Sequence, residues 1–207
     1  MLHSSIMLVR SYTLEDYPQL LEIQRACFPT PYPEEQLWSK AQIASHLKHF
    51  ALGALCVEVN GLLIASATAL ILENPPHTFA AATDNGFIGN HNPHGDTLYG
   101  VDMAVHPNWR GRGVARRLYQ ARFDLVQSLG LKRFMAAGRM PGLLQHPNLS
   151  PEDYVALIVR GELTDPTLTP QFKNGLSPVQ VLHGYIEDAE SRDCALLLEW
   201  KNPLCTT

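Results

Sequence analysis

The first part of the chain shows two hydrophobic periods. A short apolar run from Ile6 to Arg10 predicts a strand, and Thr13 followed by Asp16 is typical of a helix start, with apolar residues at helical spacing behind it. After a stretch that contains three prolines, the segment from Glu34 to Lys48 predicts a second helix, and its expected inner face carries Leu37, Ala41, Ala44 and Leu47. These residues therefore predict a strand followed by two helices.

Two β-rich runs follow, from Phe50 to Val59 and from Leu62 to Leu72. The pair Asn60-Gly61 between them is well suited to positive φ at both centres of a type I′ turn, so the runs predict a hairpin. The next segment, from Glu73 to Gly95, is rich in Gly, Pro, Asn and His. Its irregular composition predicts a functional or mobile loop, a solvated lid with no element of its own.

A strand from Thr97 to Val105 leads through a glycine-containing turn into a helix from about Gly113 to Leu129, with Gly130 as its C-terminal cap. Strict alternation would give this strand one face with Tyr99, Val101, Met103 and Val105, and an opposite face with Leu98, Gly100, Asp102 and Ala104. Asp102 is the one charged residue of the strand, and Gly100 is expected to leave space beside it.

The last third of the chain predicts a strand from Lys132 to Ala137, a helix from Ser150 to Gly161, and two final strands from Val179 to Ile186 and from Ala195 to Trp200. No internal repeat and no low-complexity tract is visible, and no linker separates two cores. We therefore expect residues 1–207 to form a single domain.

The composition narrows the function classes. A chain of 207 residues with a formal net charge of -4 can bury a full core without disulfides or metal. Its four cysteines match no disulfide or zinc spacing, and His77, His91 and His94 match no ligand signature, so we predict no metal site. Residues Met1 to Val9 do not resemble a secretory leader, and no apolar run approaches the roughly 20 residues of a membrane span. We expect a soluble cytoplasmic protein that binds no membrane.

One basic cluster departs from this acidic balance. Five of the eleven arginines lie between residues 110 and 122, and no acidic residue lies between Asp102 and Asp124. Nonspecific nucleic-acid binding needs cations that neutralise many phosphates, and the rest of the chain is acidic, so we predict no nucleic-acid partner. The cluster instead follows a strand and opens a helix. Free backbone N–H groups and the positive end of the helix dipole converge there, which favours a bound phosphate.

Three phosphate-binding patterns can be compared with the segment Arg110-Gly-Arg-Gly-Val-Ala115. A P-loop needs Gly-Lys-Ser/Thr, which is absent, and a dinucleotide fold needs a third glycine where this chain has Arg116. The third pattern, Arg/Gln-x-x-Gly-x-Gly/Ala, is matched in full, and Val105-His106-Pro107 matches the Val-x-Pro that precedes it. By these residues and by its element order, the chain resembles the GNAT N-acetyltransferase family over nearly its whole length.

The resemblance implies an α/β fold with a mixed central sheet of about seven strands flanked by helices, and it implies acetyl-CoA as the cosubstrate. Main-chain groups of Met103, Ala104 and Val105 would contact the pantetheine arm of CoA. The loop and helix start would bind the pyrophosphate, and they comprise Arg110, Gly111, Arg112, Gly113, Val114 and Ala115. The fifth and sixth strands are further apart than is common in the family, so the helix at about residues 150–161 is interpreted as an insertion.

The chain departs from the family at the tyrosine that usually protonates the departing CoA thiolate. Aligning Lys173 to Leu176 with the end of the family's tyrosine segment puts Gln171 in the position of that tyrosine. Tyr185 and Tyr154 are the available phenols, although the interpretation favoured for each is a packed aromatic with a satisfied hydroxyl. Asp102 is the candidate general base, because a carboxylate in an apolar strand is costly unless it is paired or used. A salt bridge or a turn cap is its structural alternative.

We predict an enzyme that transfers an acetyl group from acetyl-CoA to a primary amine by direct attack, because no cysteine lies beside a recognisable base in the sequence. The acceptor is expected to be a small-molecule or peptide amine, which the sequence does not identify. A noncatalytic acyl-CoA-binding or sensing module on the same fold is the alternative, and the missing tyrosine supports it. The oligomeric state stays open, with a homodimer among the options.

Overall fold

The computed structural model of the protein describes residues 6–29, 34 and 37–205. Its strands form one mixed sheet in the order β1-β2-β3-β4-β5-β7-β6, in which the β4–β5 pair is parallel and the other pairs are antiparallel. The strands are β1 (Leu8–Ser11), β2 (Ala54–Val59), β3 (Leu62–Leu72), β4 (Thr97–Val105), β5 (Arg133–Arg139), β6 (Ser177–Leu182) and β7 (Ala195–Lys201). The predicted fold class, a mixed sheet of about seven strands flanked by helices, is confirmed.

The helices are α1 (Tyr17–Cys27), α2 (Lys40–Phe50), α3 (Phe79–Thr83), α4 (Val114–Ser128), α5 (Pro151–Val159) and α6 (Leu168–Lys173). The first two pack on one face of the sheet and α4 packs on the other. Helix α5 coincides with the helix expected at about residues 150–161, whereas α3 and α6 were not predicted. In the part of the chain described, no helix combines the length and the apolar character that crossing a bilayer requires.

Helix α2 differs from its prediction in both start and orientation. It begins after Ser39, whose hydroxyl accepts a hydrogen bond from the Gln42 N–H while the Gln42 side chain caps Ser39 in return. The buried face carries Ile43, His46 and Phe50, whereas the predicted inner residues Ala41 and Ala44 are exposed. The later start is set by this capping box, and residues 35 and 36 of the predicted helix lie outside the described residues.

The hairpin prediction is confirmed in its turn and in its second strand. Asn60 and Gly61 have φ of 51° and 82°, as a type I′ turn requires, and β3 has the predicted bounds. Strand β2 begins at Ala54 rather than Phe50, because Ala51–Gly53 form a 3₁₀ turn. The final hairpin is shifted in a similar way, since β6 ends at Leu182 before a turn with positive φ at Gly184.

Part of the segment predicted to be a solvated lid is instead packed against α2, and the prediction that it contains no element of its own is wrong. It contains α3, and Ala82, Thr83 and Ile88 have no exposed surface. Three α2 side chains donate hydrogen bonds to backbone carbonyls of this segment. Gln42 donates to Asn85, Ser45 to Phe87 and His46 to Gly86. Side chains on α2 satisfy the polar backbone of this irregular segment, which composition alone cannot reveal.

Candidate functional site

Strand β4 contains a β-bulge that reverses the predicted alternation of its side chains. Thr68 of β3 pairs with Asp102 and Ala69 pairs with Gly100, so Val101 is an extra residue without a partner on β3. Tyr99 and Asp102, predicted on opposite faces, therefore lie on the same face of the sheet, toward α1 and α2. The prediction that Asp102 and Met103 lie on opposite faces holds, since Met103 packs with the apolar residues of α4.

Strands β4 and β5 separate just before the bulge. Their parallel pairing runs from Thr97 and Arg133 to Gly100 and Ala136 and then stops. Beyond that point β4 remains paired with β3 as far as Val105, and β5 remains paired with β7 as far as Arg139. One edge of β4 thus lacks a strand partner within the described chain over the residues predicted to contact the pantetheine arm, Met103, Ala104 and Val105. An extended ligand can add to such an edge.

The turn after β4 contains two glycines and leads directly into α4. A short 3₁₀ turn, Pro107–Trp109, is followed by Gly111 and Gly113, which have φ of 73° and 78°. A Cβ at either glycine would meet open space, so it is the left-handed backbone that requires glycine here. Gly113 is the N-cap of α4 and no side chain caps this end, which leaves the N–H groups of Val114 and Ala115 without intrahelical acceptors. This helix start suits an anion.

Exposed arginines surround this helix start. The Arg110 Nε donates to the Val105 carbonyl at 3.2 Å, which folds its side chain back along the end of β4. The Arg112 guanidinium lies over the Trp109 ring, 5.0 Å from its centroid. Arg116 and Arg117 continue the positive surface along the first turns of α4. The predicted pyrophosphate residues, 110 to 115, therefore form one continuous basic turn next to the unpaired edge of β4.

Asp102 is half-buried, and both of its carboxylate oxygens accept hydrogen bonds from neutral groups. The Thr68 N–H donates to Oδ1 at 2.9 Å and the Trp38 indole N–H donates to Oδ2 at 3.0 Å. No described cation forms an ion pair with it, so the salt-bridge alternative does not hold. Gly100 was expected to leave space beside the Asp102 carboxylate. It does not, because the Cβ position of Gly100 lies on the opposite face of the sheet, against the Phe134 ring.

Tyr185 lies on the same face as Asp102, in the loop between β6 and β7. Its hydroxyl is 2.6 Å from the Tyr99 hydroxyl, and burial raises the pKa of Tyr185 to about 12. The Phe79 ring contacts the rings of both Tyr185 and Trp38, at centroid distances of 6.2 and 6.4 Å. A row of aromatic side chains therefore connects the two predicted catalytic residues. Tyr154, the other candidate phenol, donates to Asp165 at 2.8 Å and lies in the core.

A buried polar chain that the sequence analysis missed ends beside Asp102. The Tyr12 hydroxyl is 3.1 Å from the Thr68 hydroxyl and 2.9 Å from Nδ1 of His46. Because the Gly86 carbonyl can only accept, Nε2 of His46 carries the proton and Nδ1 accepts from Tyr12. Burial lowers the pKa of His46, which keeps the imidazole neutral. A histidine between the apolar residues Ile43 and Phe50 of one helix face is the signal that could have identified it.

Gln171 lies on α6 against β5, beside Gly138. Its side chain is buried, and its Oε1 has no hydrogen-bond partner in the described structure. A buried amide oxygen without a partner carries a free-energy penalty. A carboxamide does not release a proton near neutral pH, so Gln171 does not replace Tyr185 as the candidate donor of the leaving-group proton.

The statement that no cysteine lies beside a base is wrong for Cys194. The pairing of Leu182 with Ala195 brings the residues next to them together, so that the Cys194 sulfur is 3.5 Å from Nδ1 of His183. Nε2 of His183 is in turn 2.7 Å from the Glu152 carboxylate. Burial and the nearby charge of Glu152 raise the pKa of the Cys194 thiol, which keeps it protonated. A protonated, buried thiol is a poor nucleophile, so direct attack by the amine remains the better prediction.

Comparison with known proteins extends this description. The model of the family described as "Acetyltransferase (GNAT) family" matches residues 17–143. The chain is 43% identical to "Uncharacterized N-acetyltransferase YkwB" of Bacillus subtilis (strain 168) over 199 residues, which are 94% of this chain and 88% of that protein. It is 34% identical to "Probable hydrolase YhcX" of the same organism, covering 95% of this chain but only 39% of that longer protein.

Solved structures share the fold. The loading GNATL domain of CurA from Lyngbya majuscula gives a TM-score of 0.82 at 16% identity, covering 95% of this chain and 98% of that one. GphF, a GNAT-like decarboxylase in complex with isobutyryl-CoA, gives 0.75 at 19% identity, with 94% and 99% covered. The putative acetyltransferase yncA from Salmonella typhimurium, solved with its cofactor acetyl-CoA, gives 0.58 at 15% identity, with 97% and 96% covered.

Proposed function

The chain belongs to the GNAT acetyltransferase family, and on this premise we propose that it transfers an acetyl group from acetyl-CoA to a primary amine by direct attack. The observation that carries the proposal is the unpaired edge of β4, which a turn of eight residues connects to the open N-terminus of α4. An extended thioester arm fits the first feature and a pyrophosphate fits the second. We therefore assign Met103 to Val105 to the pantetheine arm and Arg110 to Ala115 to the pyrophosphate.

Asp102 is the proposed general base. An amine is mostly protonated at neutral pH and becomes a nucleophile only after it has lost a proton, which the Asp102 carboxylate accepts directly or through a water molecule. The neutral nitrogen then forms a bond to the thioester carbonyl carbon, and the carbon–sulfur bond breaks as the tetrahedral intermediate collapses. The hydrogen bonds from Thr68 and Trp38 fix the carboxylate in one orientation for this role.

Tyr185 is the proposed general acid. The departing sulfur carries the electron pair of the broken bond and needs a proton to leave as a thiol. The Tyr185 phenol is protonated at neutral pH, and because burial raises its pKa to about 12, it releases the proton only as negative charge develops on the departing sulfur. The neighbouring Tyr99 hydroxyl can return a proton to Tyr185 along the 2.6 Å hydrogen bond between them.

The acceptor is proposed to be a small-molecule or peptide amine that reaches the face of the sheet next to α1 and α2. Asp102 has no cationic partner among the described residues and lies beside the Trp38 ring, so an ammonium group finds both a carboxylate and an aromatic face there. These features support a cationic acceptor over a neutral one.

A noncatalytic acyl-CoA-binding or sensing module is the second candidate. It is favoured by Gln171, which takes the position of the family's usual tyrosine and cannot supply a proton as readily as a phenol. In this case acyl-CoA would bind at the same edge of β4 without turnover.

An assay with two arms tests the proposal. Purified protein is incubated with acetyl-CoA and a panel of polyamines, amino acids and peptides, and with acetyl-CoA alone. Mass spectrometry measures acetylated amine, and a thiol reagent measures free CoA. The proposal predicts acetylated product matched by free CoA in the first arm only. Saturable acetyl-CoA binding with no product in either arm would instead support the sensing module.

A further inference from the structure

Arg122 is the one buried cation among the lysines and arginines that the structure describes. It lies on α4, between Leu118 and Val126 on the buried face of that helix. No described carboxylate lies within ion-pair distance of it, and its Nε has no hydrogen-bond partner. Burial of a cation without a counter-ion opposes folding strongly. Its presence here therefore needs an explanation other than packing.

The contacts of Arg122 lead to the bulge in β4. Its Nη2 donates to the main-chain carbonyls of Thr68, at 2.8 Å, and of Asp102. These two residues are the strand partners that flank the bulge at Val101. The guanidinium also lies over the Phe134 ring of β5, 5.4 Å from its centroid. One side chain from the helix proposed to bind pyrophosphate thus contacts β3, β4 and β5 at the point where β4 and β5 separate.

The bulge leaves polar backbone groups to be satisfied, and Arg122 satisfies two of them. A bulge interrupts the regular exchange of N–H and C=O groups between two strands. Here the Thr68 N–H bonds to the Asp102 side chain, while the Thr68 and Asp102 carbonyls both accept from Arg122. Burial lowers the pKa of Arg122, but an arginine remains protonated at neutral pH, so the two hydrogen bonds are charge-assisted.

We propose that Arg122 is a positioning residue: it holds the β4 bulge in place, so that the Asp102 carboxylate points toward Trp38 and the edge of β4 stays open for the thioester arm. Without the bulge, strict alternation would turn Asp102 to the α4 face, away from Tyr185. The catalytic part of this inference rests on the proposed function, whereas its structural part, the orientation of Asp102, does not.

The structural part is tested by NMR of the three tryptophan indole groups, with the Trp38 cross-peak identified through Trp38→Phe. Asp102→Asn changes the acceptor of the Trp38 indole and should shift this cross-peak. Arg122→Met and Arg122→Lys should shift the same cross-peak. Val126→Ala is the matched control, because Val126 is buried one turn further along the same helix face and its aliphatic side chain cannot donate a hydrogen bond to the bulge. It should lower the melting temperature and leave the Trp38 cross-peak in place.

The catalytic part is tested by a double-mutant cycle between residues 122 and 102. Arg122→Met should lower kcat by about 10- to 100-fold, the range for a displaced catalytic group. In the Asp102→Asn background the same substitution should cause almost no further loss, since its effect acts through that carboxylate. Val126→Ala should leave kcat nearly unchanged in both backgrounds. If Arg122→Met does not fold, Arg122→Lys completes the cycle.

Two results would overturn the inference. One is a Trp38 cross-peak that does not move in Arg122→Lys. The other is a fold-loss of kcat in the double variant that equals the product of the fold-losses of the two single variants. Failure of the proposed function has a different signature. In that case no amine is acetylated by the wild-type protein, yet the Trp38 cross-peak still responds to Arg122.

Discussion

Asp102 carries most of the catalytic proposal at the scale of single residues. Asp102→Asn keeps the shape of the side chain but loses the basicity, so kcat/KM should fall by about 10² to 10⁴ while CoA affinity stays nearly unchanged. The loss should be greatest at low pH, where most of the amine is protonated, and should lessen as the pH approaches the pKa of the amine. A pH–rate profile of wild type and variant measures this.

The same substitution has a structural effect that must be separated from the chemical one. In the wild type, the N–H groups of Thr68 and Trp38 each donate to a different oxygen of the Asp102 carboxylate. Asparagine has only one acceptor oxygen, so one of these donors would lose its partner. Some loss of stability is therefore expected. An Asp102→Asn variant with a lower melting temperature and a pH–rate profile parallel to that of wild type would remove Asp102 from the catalytic assignment.

The sequence could identify Asp102 but not its surroundings. A single carboxylate in an apolar strand is visible from the sequence alone, and so is the glycine turn after that strand. The face on which Asp102 lies depends on one extra residue, Val101, and strict alternation cannot anticipate such a bulge. His46 and Arg122 come from helices distant in the sequence, although each is a polar residue within an otherwise apolar helix face.

At the scale of elements, the turn between β4 and α4 should make CoA binding sensitive to charge. Arg110→Ala removes one cation beside the proposed pyrophosphate site. Because Arg110 is exposed, solvent screens it, and we expect CoA affinity to fall by only about 3- to 10-fold, with a smaller effect at high salt. Titration calorimetry measures the change, and Arg160→Ala on the surface near the end of α5 is the control. Pantetheine without phosphates should bind wild type and Arg110→Ala equally, and an equal loss for both ligands would contradict the assignment.

The packed segment after β3 gives a second prediction at this scale. Side chains on α2 hold the carbonyls of residues 85–87, and the N–H groups of residues 85–88 and 91 donate hydrogen bonds within the segment, so these amides should exchange slowly with solvent deuterium. His46→Ala removes the hydrogen bond to Gly86 and should accelerate exchange there, whereas the exposed His183→Ala should not. Fast exchange throughout this segment in the wild-type protein would restore the mobile-lid interpretation.

The elements themselves were predicted with uneven success. Strands β3 and β4 and helix α4 were located almost to the residue, since a type I′ turn pair and helix-bounding glycines mark their ends. Helix α2 starts later than the apolar spacing predicts, because a capping box several residues further on sets its start. The packing of residues 79–92 depends on partners on α2 and could not be read from their own composition.

For the whole molecule, buried histidines predict how stability depends on pH. Burial lowers the pKa of His46 and His91 below the ordinary value of 6.5. Below that value the unfolded chain binds protons that the folded state does not, so the melting temperature should fall as the pH drops from about 7 to about 5. Scanning calorimetry should find a smaller fall in His46→Gln than in wild type.

A second loss of stability should appear at lower pH and is distinct from the first. The hydrogen bond from Arg10 lowers the pKa of Asp16 below its ordinary value of 3.8. This contribution is fully present above that value and is lost as the pH falls through the lowered pKa.

A wild-type protein whose melting temperature is constant from about pH 7 to about pH 5 would contradict the role assigned to the neutral histidines.

A crystal structure of the protein with acetyl-CoA tests the central claim most directly. The account predicts the pyrophosphate at the N–H groups of Val114 and Ala115, the pantetheine arm along the unpaired edge of β4, and the thioester carbonyl on the side of the sheet where Asp102 and Tyr185 lie. Acetyl-CoA bound away from β4 and α4, or a thioester on the α4 face with Asp102 out of its reach, would contradict it.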